Sequence, residues 1–404
     1  MEEQRKVYLH DLTYLPEEEG VSIGRYGTDT FAVFPEDGAE LLKRLAEGMT
    51  IGDATRWYRE TYHEDLDMDD FLDTLRELEY LREDEAGAET TDASSAKLRG
   101  QTLGRWMFSP PAFVLYAGLF AASLVLMYTY PELRPHRNHI FFTEYATVVI
   151  LGLFLGQFPG ILFHESMHIL AGRRLGLPTK MSVGRRMYIL VFQASMPGIH
   201  GLPRRQRYLP FLAGMMGDVI WFSLLVLTAG LTIVFTGELN LFAKFCVALS
   251  FTTILRFVWQ FYFHLQTDIY YVIVTVLGCV NLQQTTREYL KNFWWRLIGA
   301  SHKAVDPSNW AERDAQVARW YGPLYAIGYS LMILLLIFVM LPVAYRFLSG
   351  VFWNLLYGTS VHMWDSLVFV LVNGINYGVV IWVYLRERRA RRRQKNQSTI
   401  VQGG

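Results

Sequence analysis

The sequence predicts a mainly α-helical, polytopic membrane protein of about six spans, with a small cytoplasmic α+β domain at its N-terminus. Apolar residues make up 51% of the 404 residues and collect in long runs after residue 105. Residues 1–95 hold 26 Asp and Glu against 9 Lys and Arg, whereas the remainder holds 12 against 29. An acidic soluble part therefore precedes a basic part of membrane composition.

Residues 1–86 have the pattern of a compact α+β domain. Extended segments are predicted near residues 6–12, 21–24 and 30–34. Three helix starts are marked by residues that favour helix N-termini: Glu36 with Asp37, Thr50 with Asp53, and Asp67. Apolar residues at helical spacing predict its core, namely Leu41, Leu42, Leu45, Phe71, Leu75, Leu78 and Leu81. Residues 87–104, which begin with small polar side chains, are the predicted linker.

The rest of the chain divides into a membrane domain, residues 105–390, and a basic tail, residues 391–404. The predicted spans are 111–130, 145–171, 208–236, 240–266, 320–347 and 363–385, each long enough for a bilayer. The basic segment RERRARRRQK follows the last span, and Arg173 and Arg174 follow the second. Such residues favour the cytoplasmic side, so six spans place both termini in the cytoplasm. The N-terminus MEEQRKVYLHDL lacks the apolar run of a secretory signal.

The two cysteines limit the classes of site that the chain can hold. Cys246 and Cys279 lie in apolar stretches without CxxC spacing, which excludes a disulfide framework and a cysteine zinc ribbon. We expect a lipid bilayer as a partner, and no nucleic acid.

The clearest chemical motif is HESMH, which ends the second predicted span. His164 and His168 are four residues apart, so a helix places both imidazoles on one face, where they can bind one metal ion. Glu165 would stand beside the metal as the general base that takes a proton from water. Ionisable residues in an apolar span raise the free energy of membrane insertion. This cost favours a functional site over the alternative, in which the polar residues are only hydrogen-bonded at the end of a helix.

A zinc peptidase site needs a third protein ligand, and the predicted topology supplies a candidate. The second and fourth spans both run from outside to inside, so they bring the histidines and Asp268 to one depth. His264, predicted one helical turn before Asp268, is the alternative ligand or a residue that supports it.

Two further charges and one β-rich segment lie between these motifs. Asp218 and Arg256 fall in neighbouring antiparallel spans at similar depth, which predicts a structural ion pair more than a catalytic role. Residues 180–197, KMSVGRRMYILVFQASMP, are rich in β-formers. They predict either a membrane-associated hairpin that offers an edge to an extended substrate or a plain loop.

At HESMH and QTDIYYVIVTVLGCVNL the chain resembles the site-2 protease family of intramembrane zinc metallopeptidases, in its peptide zinc metalloprotease branch. The basic segment LPRRQRYLPFLAG between the two motifs is also similar. The resemblance implies Zn²⁺ bound by His164, His168 and Asp268, in a bacterial cytoplasmic membrane. One residue departs from the family pattern, because Ile269 stands where a glycine is expected after the aspartate. Glycine allows backbone conformations that isoleucine does not, which weakens the assignment of Asp268.

The N-terminal domain resembles PqqD-like domains, winged-helix modules that bind the leader of a ribosomally made precursor peptide. The likeness rests on GVSIGRYGTDTFAVFPEDGAELLKRLAEGMTIGDATRWY and DMDDFLDTLRELEYL. It implies that the substrate, or its partner, is a ribosomally made peptide. The membrane metallopeptidase hypothesis also allows a membrane-associated protein as the substrate.

Three functional hypotheses follow. The first is hydrolysis of a peptide bond near the cytoplasmic face, with Glu165 as the general base. The second is a non-catalytic membrane protein of peptide export or immunity that keeps a structural metal; an intact Glu165 argues against it. The third is regulatory cleavage of a membrane-anchored signalling protein.

Overall fold

A computed structural model describes residues 4–17, 20–25, 31–82, 98–186, 189–279, 281–300, 302 and 304–375, with residues 378, 382 and 385. The chain is mainly helical and forms two compact units. The first comprises Met1–Ala112, Ser166–Met181 and Ala194–Ala213, and the second comprises Phe113–Glu165, Ser182–Gln193 and Gly214–Gly404. The boundary between them passes through a long unbroken helix, Ala146–Arg174.

The N-terminal part of the first unit has a three-stranded antiparallel sheet followed by three helices. Strands β1 (Leu12–Glu17), β2 (Gly20–Arg25) and β3 (Phe31–Phe34) lie in the order β1-β2-β3, and the helices are α1 (Glu36–Ala46), α2 (Ile51–Tyr62) and α3 (Met68–Glu77). Thr50 caps α2 by accepting from the Asp53 amide, and Asp67 caps α3 by accepting from Asp69 and Asp70 amides. The predicted helix starts are therefore confirmed.

The predicted core of this domain is also confirmed. Leu41, Leu42, Leu45 and Leu75 are fully buried, and Phe71, Leu78 and Leu81 pack against them or their neighbours while partly buried. The hydroxyl of Tyr80 donates to the carbonyl of Ile23 at 2.6 Å, which ties the end of the domain to its sheet. Burial of this apolar stripe, more than helix propensity, stabilises the short helices.

The first predicted extended segment, residues 6–12, is only partly matched by strand pairing. Strand β1 begins at Leu12, where residues 6–12 were expected to be extended; in that segment Lys6 and Leu9 form only isolated bridges, to Thr50 and Leu81. The difference arises because Leu12–Glu17 pairs along its whole length with Gly20–Arg25. A continuous ladder satisfies more backbone groups than single bridges do.

The remaining described elements are mostly long helices. They are α4 (Gln101–Met107), α5 (Pro110–Thr129), α6 (Ala146–Arg174), β4 (Lys180–Arg186), β5 (Ile189–Ser195), α7 (Arg204–Thr236), α8 (Leu241–Trp259), α9 (Asp268–Leu277), α10 (Leu282–Leu297), α11 (Glu312–Leu335), a π-helical segment (Leu336–Met340), α12 (Leu341–Tyr357) and α13 (Ser360–Ile375). Strands β4 and β5 form a two-stranded sheet, so the strand pairing predicted for residues 180–197 is confirmed, while its association with the membrane stays a prediction. Its use as a substrate edge stays a prediction.

Five described helical stretches are long and apolar enough to cross a membrane. They are α5, α6, α7, α8 and the 46-residue stretch Glu312–Tyr357. Since about 20 apolar residues suffice to span a bilayer, these helices indicate a membrane protein. The predicted spans 111–130, 145–171, 208–236 and 320–347 lie within or almost within four of them.

Two predicted spans differ from the helices. The span 240–266 was too long, because α8 ends at Trp259 and the chain turns through residues 260–267 before α9. The span 363–385 coincides with α13, a shorter apolar helix, and much of its second half lies outside the described residues. Helix α13 also fixes the start of α6, since the carboxylate of Asp365 accepts hydrogen bonds from the Ala146 and Thr147 amides at 2.7 and 3.1 Å.

Candidate metal centre

Helix α6 carries the HESMH motif, in which His164, Glu165 and His168 are the candidate functional residues. His164 and His168 are both buried, with 6% and 4% of their surface exposed, and Glu165 between them is half-buried. Because the helix is continuous through residues 146–174, the two imidazoles lie one turn apart on one face. The helical spacing predicted for the motif is confirmed.

Each imidazole is held by its Nδ1 atom. His164 Nδ1 lies 3.0 Å from Oδ2 of Asp218, and His168 Nδ1 lies 2.7 Å from the backbone carbonyl of Pro210. A carbonyl can only accept, and a carboxylate paired with an arginine also accepts, so Nδ1 is the protonated nitrogen of both rings. The Nε2 atoms are then the nitrogens left to act as ligand atoms when a metal replaces their proton. This is the arrangement by which proteins orient metal-binding histidines.

Asp268 completes a group of three possible ligands. Its Oδ2 atom lies 3.3 Å from Nε2 of His164. One ligand atom from each of His164, His168 and Asp268 lies within 4.8 Å of the others. Ligands bound to zinc at about 2.0–2.1 Å in a tetrahedron are about 3.3–3.4 Å apart, so the His164–Asp268 pair already has the right separation. The buried group can therefore hold a metal ion.

Asp268 owes its position to the turn that ends α8. It is the first residue of α9, and its amide donates to the side-chain oxygen of Gln260 at 3.0 Å. The hydroxyl of Thr267 donates to the Gln260 carbonyl at 2.7 Å, which closes the same turn. Gln260 is buried and lies at the C-terminus of α8, so this side chain links two helices. Gln260 was not identified from the sequence, because a glutamine carries no motif.

Asp218 and Arg256 form the predicted ion pair. Arg256 Nη2 lies 2.7 Å from Asp218 Oδ1, and Arg256 Nε donates to the same oxygen at 2.8 Å. The Asp218 side chain is fully buried, and its other oxygen faces His164. A buried carboxylate needs such a partner to remain charged. The pair therefore holds the His164 ring as well as stabilising the helices, a connection that the sequence did not predict.

A close approach between helices at Gly160 is needed for this network. Gly160 lies one turn before His164 on α6. A Cβ atom at Gly160 would lie 2.7 Å from Nε1 of Trp221 and 3.2 Å from Nη2 of Arg256. No side chain other than hydrogen fits there without moving these groups.

We predict that Gly160→Ala weakens metal binding while leaving the helical content unchanged. The added methyl group would displace Trp221 and Arg256, and through Asp218 it would turn the ring of His164. Loss of such supporting contacts typically lowers metal affinity by about 10- to 100-fold. Metal titration of the purified protein measures the change. Gly118→Ala on α5 is the matched control, because a Cβ atom there meets nothing within 4 Å; equal affinities for the two variants would contradict the prediction.

His264 does not occupy the position expected for it. The sequence predicted it on a helix one turn before Asp268, but it lies in the non-helical turn between α8 and α9. Its ring is stacked on those of Tyr329 and Tyr262, with centroids 4.0 and 5.6 Å apart. Among the described residues, His264 therefore packs against aromatic rings. It does not belong to the group of three possible ligands.

Within the described residues, the fold and the site define a class of protein. It is a mainly helical chain with five helical stretches suited to a membrane and a buried His-His-Asp group that can bind a metal. Comparison with known proteins adds no relative. No protein-family model, no curated protein and no solved structure matches this chain.

Proposed function

We propose that this protein is a membrane-embedded zinc metallopeptidase of the site-2 protease type, with His164, His168 and Asp268 as ligands and Glu165 as general base. One observation carries the proposal: both motif histidines are held through Nδ1, while Nε2 of His164 faces Asp268 at 3.3 Å. Histidine ligands in metal centres are commonly held through one ring nitrogen while the other faces the metal. In addition, Glu165 directly follows the first ligand in the chain, where a general base is needed.

Two imidazoles and one carboxylate are a donor set that suits zinc and leaves a fourth position for water. A bound Zn²⁺ supplies a Lewis acid that activates the water and polarises the scissile carbonyl. Glu165 takes the proton from the attacking water and returns it to the leaving amine. Asp218 and the Pro210 carbonyl keep the histidines in the ligating tautomer. Asp268 is 22% exposed at its side chain, which gives substrate and water a side from which to approach.

The proposed substrate is a ribosomally made peptide, or another membrane-associated protein, presented by the N-terminal domain. The resemblance of the N-terminal domain to PqqD-like domains supports this assignment of the substrate. The β4–β5 sheet offers an edge to which an extended substrate can add a strand. The experiments below separate the proposed peptidase from the non-catalytic export or immunity protein. A regulatory protease would use the same residues and differ in its substrate.

Zinc-dependent cleavage tests the proposed function. The purified full-length chain should cleave the co-encoded peptide, or members of a proteome-derived peptide library, with new termini detectable by mass spectrometry. Removal of metal with 1,10-phenanthroline should abolish cleavage, and adding back one equivalent of Zn²⁺ should restore it. A chain that holds zinc but yields no zinc-dependent termini in either mixture would favour the non-catalytic alternative.

We also propose a bacterial cytoplasmic membrane as the location, with both termini inside. Reporter fusions after residue 95 and at the C-terminus should report the cytoplasm, and one between residues 131 and 142 should report the outside. The reason is the cytoplasmic preference of the basic segments beside the helices. An external N-terminus would contradict this orientation.

A further inference from the structure

A cavity of about 300 Å³ lies between helices α10 and α11, apart from the metal-ligand group. Its lining residues are Arg287, Leu290, Lys291, Trp294, Trp295, Tyr325 and Tyr329. The five α10 residues follow the spacing i, i+3, i+4, i+7 and i+8, so they project from one face of that helix. The two tyrosines are four residues apart and face them from α11.

The orientation of α10 is fixed by contacts on its other faces. Asn292 exchanges two hydrogen bonds of 2.8 Å with the backbone of Val305. Glu288 accepts from Nε1 of Trp310 at 2.8 Å. The lining face is therefore a rigid feature, set by a well-anchored helix.

The charges in the cavity favour an anion. Arg287 and Lys291 are exposed and one turn apart, and neither forms an ion pair with any acid among the described residues. Glu288, the acid on this helix, is instead engaged by Trp310 and Gln284. Two neighbouring cations without a carboxylate partner suit a phosphate group, to which arginine can donate two hydrogen bonds.

The other end of the cavity favours an amphipathic ligand. One turn beyond Lys291 the lining becomes apolar and aromatic, at Trp294 and Trp295. Beside it, four large apolar side chains are each more than half exposed: Phe293, Trp294, Leu297 and Ile298. Exposed tryptophan among aliphatic residues, next to basic residues, is typical of a helix that lies in the membrane interface.

We propose that this cavity binds an acidic phospholipid, with its phosphate at Arg287 and Lys291 and its apolar part along Trp294 and Trp295. The ligand chemistry is a phosphate anion joined to an apolar body. Free phosphate would contact only the cationic end of the cavity. An acidic peptide would leave the exposed apolar residues of α10 without a ligand contact.

The test measures lipid binding to the full-length protein in neutral detergent by native mass spectrometry. Phosphatidylglycerol should bind in a saturable manner, and Arg287→Gln/Lys291→Gln should weaken it by about 30-fold, which corresponds to about 2 kcal/mol for two cations. Arg287→Lys should keep most of the binding. Phosphatidylcholine should bind wild type more weakly and lose much less in the double variant, because its choline cation offsets the charge of its phosphate.

The matched control is Arg296→Gln/Arg319→Gln, which removes two exposed cations from the same two helices outside the cavity. It should bind phosphatidylglycerol like wild type. Equal loss in both double variants would show a non-specific effect of charge and overturn the proposal. So would competition by inorganic phosphate at the affinity of the lipid, or binding of an acidic peptide to a protein that ignores phosphatidylglycerol.

Discussion

Glu165→Gln is expected to lower peptide hydrolysis by at least 10²- to 10⁴-fold while the zinc content stays at the wild-type level. Glutamine is nearly isosteric with glutamate but cannot accept a proton from water, and general acid–base help is typically of this size. Glu165 is not among the three ligand residues, so its replacement leaves the metal group intact. The variant should also retain uncut substrate. Cleavage is measured by mass spectrometry, with metal analysis on the same sample.

Glu144→Gln is the control for this experiment, because Glu144 is an exposed residue just before the start of α6. It should cleave like wild type. If Glu165→Gln keeps its zinc and supports the same cleavage or biological output as wild type, the peptidase proposal is wrong and the metal is structural.

The double variant His164→Ala/His168→Ala is expected to lose its metal, from about one zinc per chain to less than about a tenth. Two of three protein ligands would be absent, and a single carboxylate does not hold zinc at a four-coordinate site. Asp268→Ala should weaken binding without abolishing it, because the histidine pair remains. Inductively coupled plasma mass spectrometry of the purified chains measures each case.

The matched control is His136→Ala/His139→Ala, which removes two histidines from the loop after α5. Zinc content should be unchanged. Equal zinc in wild type and His164→Ala/His168→Ala would exclude the site, and one equivalent of iron in place of zinc would contradict the metal assignment, since a His-His-carboxylate set also suits Fe²⁺.

Local signals in the sequence were sufficient to predict much of the fold. Bilayer-length apolar runs predicted four of the five long helical stretches closely, and caps such as Thr50 and Asp67 marked the starts of short helices. The i,i+4 histidines needed only a helix to be brought together. These features depend on residues near one another in the chain, where periodicity and capping act.

The supporting contacts of the candidate site could not be predicted in the same way. Gln260 holds Asp268 through a single hydrogen bond between two helices, and Gly160 matters because Trp221 and Arg256 approach it. Neither contact produces a periodic pattern of residues that could be recognised in the sequence. The same reason explains the error at α8: its apolar pattern continues past Trp259, but Gln260 and Thr267 form a turn whose hydrogen bonds outweigh that pattern.

The pairing of Asp218 with Arg256 also affects the order of assembly during synthesis. The two residues are separated by 38 positions, so the carboxylate on α7 is made well before its guanidinium partner on α8. At translation rates of about 5–20 residues per second, Asp218 waits roughly 2 to 8 s for Arg256. During that interval the nascent chain holds an acid in an apolar helix, and among the described residues already made its partner is His164. Ribosome pausing before α8 would therefore prolong exposure of the nascent chain to membrane quality control.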